Sequence, residues 1–401
     1  MMTVAEALAA IGRLTPLGTE EIPLAEASER VLARAVRADV DWPPFETSAM
    51  DGYAVRLEDV RAPGTTLAER EGLVAAGDAP PPPIRPGQAV RVMTGAAMPE
   101  NAEAVVPVEQ VRREAGRVRL EVVPAAGAHL RRRGESIAAG TELLAAGRRL
   151  AASDIALAAM AGADPVAVFR RPRIAIAATG NELVPAGETP RAGQLRDSNG
   201  PMLAALCRER GWPAAARPRV ADDHAGVARL FAEAGAHEDI LMTSGGVSAG
   251  DLDLLPPAAQ KAGFELLFHG VAMRPAKPVA VARRGATIWI GLPGNPVSTS
   301  VGFHLFAREI AGRLEGDARP GAPRVTAKLA APIGAAGARE SYRDAVWETS
   351  HGESRVTELR SAGSHDIGAH ARANALIVQP AGSGALPAGA VVTCLLTRDL
   401  P

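Results

Sequence analysis

Cysteine is nearly absent: in 401 residues only Cys207 and Cys394 occur, far apart and without a CxxC pair. That excludes a disulfide framework and a structural zinc site, and it points to a reducing cytoplasm. Aromatic residues are 3% of the chain and are not interleaved with basic ones, so single-stranded nucleic acid has no stacking platform. No sign of charge dominates. The 44 Lys and Arg against 45 Asp and Glu leave a net charge of −1, which gives nucleic acid no bulk attraction. No stretch approaches the ~20 consecutive apolar residues of a membrane span. Met1 to Leu8 has neither the basic start nor the apolar centre of a signal peptide. The expectations are therefore no nucleic acid, no membrane and a cytoplasmic protein. Also missing are a G-x-x-x-x-G-K-[ST] loop, a G-x-G-x-x-G turn and a G-x-S-x-G elbow, which removes the signatures of common nucleotide-binding and hydrolase sites. The eight histidines are scattered, and His365 and His370 lack the i, i+4 spacing of a helical zinc pair.

What is present divides the chain. Its length is past the size at which a single core keeps growing, so several domains are expected. Thr3 and Glu6 form an S/T-x-x-E capping box before Val4, Leu8, Ile11 and Leu14, which predicts a first helix. A second helical pattern covers Ser28 to Val36 and is broken by Pro43-Pro44. Short apolar runs separated by Pro and Gly, such as Ala89 to Met93, Ala104 to Val108 and Arg117 to Val122, mark a β-rich insertion at about 47–148. Ser153 is placed to cap a helix running to Met160. From Ile174 to Leu314 strands alternate with helices, which implies a three-layer α/β unit with a parallel sheet. Short strands return after Pro320, as in Val325 to Leu329 and Val391 to Leu396, and predict a small β-barrel-like domain. The expected division is 1–170, 171–316 and 320–401.

Three Gly-rich loops stand out in the α/β unit: Thr179-Gly180-Asn181-Glu182, Ser244-Gly245-Gly246-Val247-Ser248 and Leu292-Pro293-Gly294-Asn295-Pro296. Each follows a predicted strand. In an open parallel sheet such loops gather at the carboxyl ends of the strands, where bare N–H groups hold anions. One large phosphorylated ligand fits all three. Around them lie carboxylates and cations. Glu182 either favours a helix N-terminus or orients a metal or water, while Asp197 or Ser198 is explained as a helix cap. Asp222-Asp223 and Asp251-x-Asp253, placed near phosphate-binding backbone, suit Mg²⁺. Arg274 and Lys277 are held in a proline-stiffened turn, Arg274-Pro275-Ala276-Lys277-Pro278, at the entrance of a strand. Asn295 and Ser298 are caps, ligand contacts, or both. Far from these, Asp51 in Ser48 to Val55 and Thr94 in Arg91 to Ala96 read either as turn chemistry or as ligand contacts.

Pro43 to Val55, Arg91 to Gly95, Arg131 to Glu135, Thr243 to Gly250 and Gly291 to Ser298, in this order through nearly the whole chain, closely resemble the MoeA family of molybdopterin molybdenumtransferases, related to the gephyrin E domain. The resemblance implies a MogA-like central domain and a homodimer whose cleft combines that domain with the N-terminal region of the partner subunit. It further implies insertion of molybdate into adenylyl-molybdopterin with release of AMP, and use of Mg²⁺. Carried onto this chain, it implies that Asp51, Thr94, Glu182, Asp223 (from the 222–223 pair) and Asp253 act on the phosphoanhydride and molybdate. It makes Ser244, Gly245, Gly246, Ser248, Asp251, Pro293, Gly294, Asn295 and Ser298 the pterin and phosphate cradle, with Arg274 and Lys277 holding anions and Ser364 a further contact. Asp223, Asp251 and Asp253 would hold the metal. Other molybdenum-cofactor biosynthesis proteins are candidate partners. Asn181 stands where relatives often carry Asp, and Arg274 stands in a segment where many carry Lys. A MogA-like adenylyltransferase, a gephyrin-like scaffold or cofactor carrier, and a tungstate-specific enzyme are the competing readings.

Overall fold

The computed structural model describes residues 1–247, 254–350 and 352–398. Helix α1 (Val4–Ile11) starts as the capping box requires: Thr3 Oγ1 accepts from the Glu6 N–H at 3.2 Å, and Glu6 Oε2 accepts from the Thr3 N–H at 2.8 Å. It ends before Leu14, and its buried face is Val4, Ala7 and Ile11.

The β-rich insertion is a six-stranded sheet of β1 (Gly52–Val55), β2 (Thr66–Val74), β3 (Gln88–Val92), β4 (Ala104–Pro107), β5 (Val111–Glu114) and β6 (Arg117–Leu120). Its order is β4-β1-β3-β2-β6-β5. Beside it, Thr19–Ile22 pairs with Val166–Phe169 and packs on α2 (Ala152–Met160). Two expectations are corrected here. Ser28 to Val36 is no helix, because the Leu32 and Ala33 N–H groups bond to Arg148 and Ala167 carbonyls, and Glu29 turns at φ +60°. Tertiary pairing overrides a weak local periodicity. Ser153 lies inside α2, and it is the Asp154 carboxylate that accepts from the Ala151 N–H at 3.0 Å.

The central unit contains β7 (Ile174–Ala178), α3 (Asn199–Glu209), β8 (Ala214–Ala216), α4 (His224–Glu233), β9 (Ile240–Ser244), α5 (Leu255–Lys261), β10 (Glu265–His269), β11 (Met273–Arg274), β12 (Ala280–Arg284), β13 (Thr287–Leu292) and α6 (Pro296–Gly302). A π-helical turn, Phe303–Ala307, joins α6 to α7 (Arg308–Leu314). The sheet order is β8-β7-β9-β13-β12-β10. Every residue of β7 and β9 is buried, as expected of strands covered on both faces. One face packs on α1, α3, α6 and α7, the other on α4 and α5, where Phe231 meets Trp289 edge-on at 5.1 Å.

The sheet is mixed, not parallel throughout. Strand β12 runs antiparallel to both β13 and β10 because Gly285-Ala286, with Gly285 at φ +59°, closes a two-residue hairpin from Arg284 to Thr287. The reversal matters for the site. It brings the start of β12, and with it the Arg274–Pro278 segment, to the edge where the parallel strands end.

The C-terminal strands β14 (Arg324–Leu329), β15 (Glu340–Ser350), β16 (Glu353–Glu358), β17 (Ala375–Gln379) and β18 (Val391–Leu396) close into a barrel through the β15–β17 pairing. Helix α8 (Ile367–His370) precedes β17, and β11 adds to β15 in parallel. Tyr342, Leu376 and Leu395 of the barrel enter the central core.

The first unit is tied to the central one through charge. Glu315, fully buried, accepts from Arg149 Nη2 at 2.7 Å and from Trp212 Nε1 at 3.0 Å. Arg170 Nη1 and Nη2 clasp Asp239 at 2.8 and 2.9 Å, and the Arg173 N–H adds a bond at 2.8 Å. Burial alone would raise the Asp239 carboxyl, yet these bonds from Arg170 and Arg173 pull it from 3.8 down to about 2. A depressed carboxyl contributes stability that is complete above pH 4 and is lost as pH falls from about 4 through about 2. The urea midpoint should fall across that window, and Asp239→Asn should flatten the fall. An equal slope in both proteins would remove Asp239 from the account. No helix among the described residues is long and apolar enough to cross a membrane.

Candidate active site

Register sets the three Gly-rich loops side by side. Ala178 lies opposite Ser244, and Ser244 opposite Leu292. The Thr179 N–H bonds to the Ser244 carbonyl and the Gly245 N–H to the Leu292 carbonyl, each at 3.0 Å. Gly245 adopts φ +99°, and a Cβ there would stand 2.7 Å from the Thr179 carbonyl oxygen, so only glycine fits. Asn199 fastens the last two loops: its Nδ2 donates to Ser244 Oγ and to the Gly294 carbonyl, both at 2.7 Å. Its Oδ1 is buried without a hydrogen-bond partner.

These loops enclose a cavity of about 300 Å³ lined by Gly180, Ser244, Gly245, Gly246, Pro293 and Gly294, among others. Glu182 and Asp222 line it too. The Glu182 carboxylate lies over Gly180, where an added Cβ would come within 2.7 Å of Oε2. Asp222 Oδ2 accepts from the Asn181 N–H at 3.3 Å. The neighbouring Asp223 is the N-cap of α4, its Oδ1 accepting from the Gly226 N–H at 2.6 Å, and it does not line this cavity. The helix begins at His224, so the capping position falls on Asp223 and the lining position on Asp222. Ser248, Asp251 and Asp253 lie outside the described residues. No group of three or more His, Cys, Asp or Glu that could hold a metal occurs among the described residues.

A second cavity, about 930 Å³, opens between the central unit and the barrel. It shares Pro278, Pro293 and Asn295 with the first, so the two form one cleft. Arg274, Lys277 and Ser298 line its central wall; Arg339, Arg360 and Ser364 line its barrel wall. Arg274, Lys277 and Arg360 have no ion pair among the described residues. Arg274 stands on β11, paired with the barrel strand β15, and the Arg274–Pro278 turn leads into the central strand β12 as expected. The walls meet where Asn295 Nδ2 donates to Ser364 Oγ at 3.0 Å and the Val297 N–H to the Ser364 carbonyl at 3.2 Å.

Asp51 and Thr94 come together away from this cleft. Asp51 Oδ1 accepts from both the N–H and the hydroxyl of Thr94 at 2.7 Å, and the pair is exposed. The Thr94 N–H, then its hydroxyl, holds the carboxyl below the usual range. Neither residue lines either cavity of its own chain. Sequence reasoning gave no role to Asn199, whose partners lie 45 and 95 residues away, or to Arg339 and Arg360, which reach the cleft only because the barrel packs on the central unit.

Known proteins share this architecture. Residues 2–162 match a family described as "MoeA N-terminal region (domain I and II)", residues 175–313 a "Probable molybdopterin binding domain", and residues 326–397 the "MoeA C-terminal region (domain IV)". A molybdopterin molybdenumtransferase of Nostoc is 37% identical over 388 residues, covering 94% of this chain and 88% of that protein. Molybdopterin molybdenumtransferase 2 of Mycobacterium tuberculosis is 35% identical over 369 residues, 90% of each chain. The crystal structure of a molybdopterin biosynthesis moea protein from Pyrococcus horikosii superposes with a TM-score of 0.84 at 27% identity, covering all of both chains. The chain belongs to the MoeA family of molybdopterin molybdenumtransferases.

Proposed function

We propose that this chain inserts molybdate into adenylyl-molybdopterin and releases AMP. The observation that carries the reading is the joined cleft: a pocket of glycine-loop backbone opens at Pro278, Pro293 and Asn295 into a larger space bearing Arg274, Lys277 and Arg360. Two anions that must react repel each other in water, and a site must offset that repulsion before their atoms can meet. The glycine loops suit the phosphorylated pterin, since bare N–H groups approach phosphate oxygens closely. The cations on both walls suit the compact oxyanion. Asn199, which lines the first cavity, holds the Ser244 and Gly294 loops in register through its Nδ2.

Glu182 and Asp222, two carboxylates on the phosphate pocket, fit the donor set of Mg²⁺, which takes one or two carboxylates and completes its shell with phosphate and water. When bound, Mg²⁺ supplies charge neutralisation at the phosphoanhydride. Asp51, ionised and oriented by Thr94, would reach the cleft from a second copy of the chain, so the working form is a homodimer.

The test is direct. Purified protein with adenylyl-molybdopterin, Mg²⁺ and molybdate should yield AMP and metallated cofactor, and tungstate in place of molybdate reads the preference between the two. Lys277→Ala should raise the molybdate KM about 10- to 100-fold, the worth of one charge-assisted bond. Formation of pyrophosphate from ATP, with no AMP release from adenylyl-molybdopterin, would replace this reading by an adenylyltransferase.

A further inference from the structure

Behind the cleft, three buried side chains join its walls. His370, the last residue of α8, has Nδ1 2.6 Å from Asp344 Oδ1 and Nε2 2.8 Å from Ser300 Oγ. Their exposures are 9% for His370, 6% for Asp344 and 3% for Ser300, so water does not compete for these bonds. Ser300 belongs to α6, whose first turn carries the cleft-lining Val297 and Ser298. Asp344 belongs to β15 and lines the cleft with its neighbours Ser341 to Arg343. His370 follows the cleft loop that contains Ser364 and His365.

A Ser–His–Asp chain is also the arrangement of an acyl-transfer nucleophile. That use is closed here. Ser300 sits within α6, flanked by its helical neighbours and nearly inaccessible, and helical N–H groups offer no oxyanion donors.

We propose that His370 is a positioning residue: it ties the barrel wall to α6 and so sets the distance between the cations on the two sides of the cleft. This rests on the molybdate-insertion reading above. The opposite side of the cleft is already fastened, because Met273 and Arg274 pair with Glu340 and Ser341, and Arg339 Nη1 donates to the Met273 carbonyl at 3.2 Å. On the other side the rim is held by the Ser364 bonds to Asn295 and Val297, and behind them the His370 side chain is the link between α6 and β15. Removing the imidazole leaves the Asp344 carboxylate and the Ser300 hydroxyl without their shared partner and cuts the side-chain link between the barrel wall and α6, so the walls are free to part. An oxyanion held from both walls loses a contact when they part. The pterin, held by the glycine loops of the central unit alone, does not.

The experiment measures AMP release while each substrate is varied in turn, on wild type, His370→Leu, His370→Gln and Ser300→Ala. His370→Leu should raise the molybdate KM at least 10-fold and leave the adenylyl-molybdopterin KM within 2-fold. His370→Gln should stay within about 3-fold of wild type, since one amide can donate to Asp344 and accept from Ser300. The double variant Ser300→Ala/His370→Leu should be no worse than His370→Leu alone, because both break one chain of bonds. Equal rises in the two KM values, or none, would overturn the proposal. So would failure of the glutamine to rescue. If His370→Leu does not fold, Ser300→Ala decides, with a rise of about 3-fold in the molybdate KM alone expected and no rise overturning the idea. If wild type releases no AMP, the activity reading has failed by itself. The positioning claim then rests on the distance between spin labels at Ala236→Cys and Val391→Cys, both exposed, which should lengthen or broaden in His370→Leu. An unchanged distribution would sink it.

Discussion

Asp51→Asn should lower AMP release about 10²-fold or more, while the melting temperature stays where it is. The carboxylate is exposed and, among the described residues, bonds only to Thr94, so its loss removes little from the fold. Those two bonds nonetheless keep it ionised and aimed, which is the preparation expected of a group that acts on a reacting proton or a metal-bound anion, where a single such residue is worth about 10²–10⁴ in rate. Because Asp51 and Thr94 line neither of the two cavities described for their own chain, the variant also tests the homodimer. Mixed dimers of Asp51→Asn and Lys277→Ala chains contain one intact cleft if each cleft draws on two copies. The mixture should then recover a measurable part of wild-type activity. A mixture no more active than its parents, under conditions where subunits exchange, would place Asp51 outside the reaction and remove the main reason for invoking a second copy.

Glu315→Ala should destabilise the protein by about 1–3 kcal/mol in denaturant unfolding, the usual cost of leaving buried donors, here on Arg149 and Trp212, without their acceptor. Glu315 is fully buried, and its Oε2 serves Arg149 and Trp212 together. Arg149 is also bound to Asp317 Oδ2 at 3.1 Å and to the Glu29 carbonyl at 2.7 Å, so it is not free to leave for water. The triple change Glu315→Ala/Arg149→Met/Asp317→Ala, which removes the Arg149 cation together with both of its carboxylates, should recover more than half of the loss. A loss under 1 kcal/mol in the single variant would mean that water enters the junction and the bridge contributes little.

Much of the site was legible before its shape. The strands that carry the Gly-rich loops appear as apolar runs of the right length at β7, β9 and β13, and the loop chemistry marks where they stop. The first helix was readable because its cap is local: donor and acceptor lie three residues apart. Strand direction was harder. Apolar runs carry no arrow, and the antiparallel course of β12 is written only in the Gly285-Ala286 turn, which was passed over. That miss had a cost in the site, because the reversed strand explains why Lys277 reaches the cleft. The choice between Asp222 and Asp223 turned on a one-residue helix boundary, beyond the resolution of pattern reading. Asn199, the Ser300–His370–Asp344 chain and the barrel closure depend on partners tens of residues away, where only the folded chain brings the signal together.

Helix α1 has a bearing on how the molecule is made. Its buried face, Val4, Ala7 and Ile11, completes a core whose other members begin at Ile174 and run to Leu395. During synthesis it is made well before that core and waits for the central unit before it can be buried. The insertion sheet, whose core lies between Tyr53 and Leu120, has all of its members on hand far sooner. Assembly is therefore out of step with translation: α1 is made before the insertion sheet yet finds its place after it, and until then its apolar stripe is a natural hold for a chaperone.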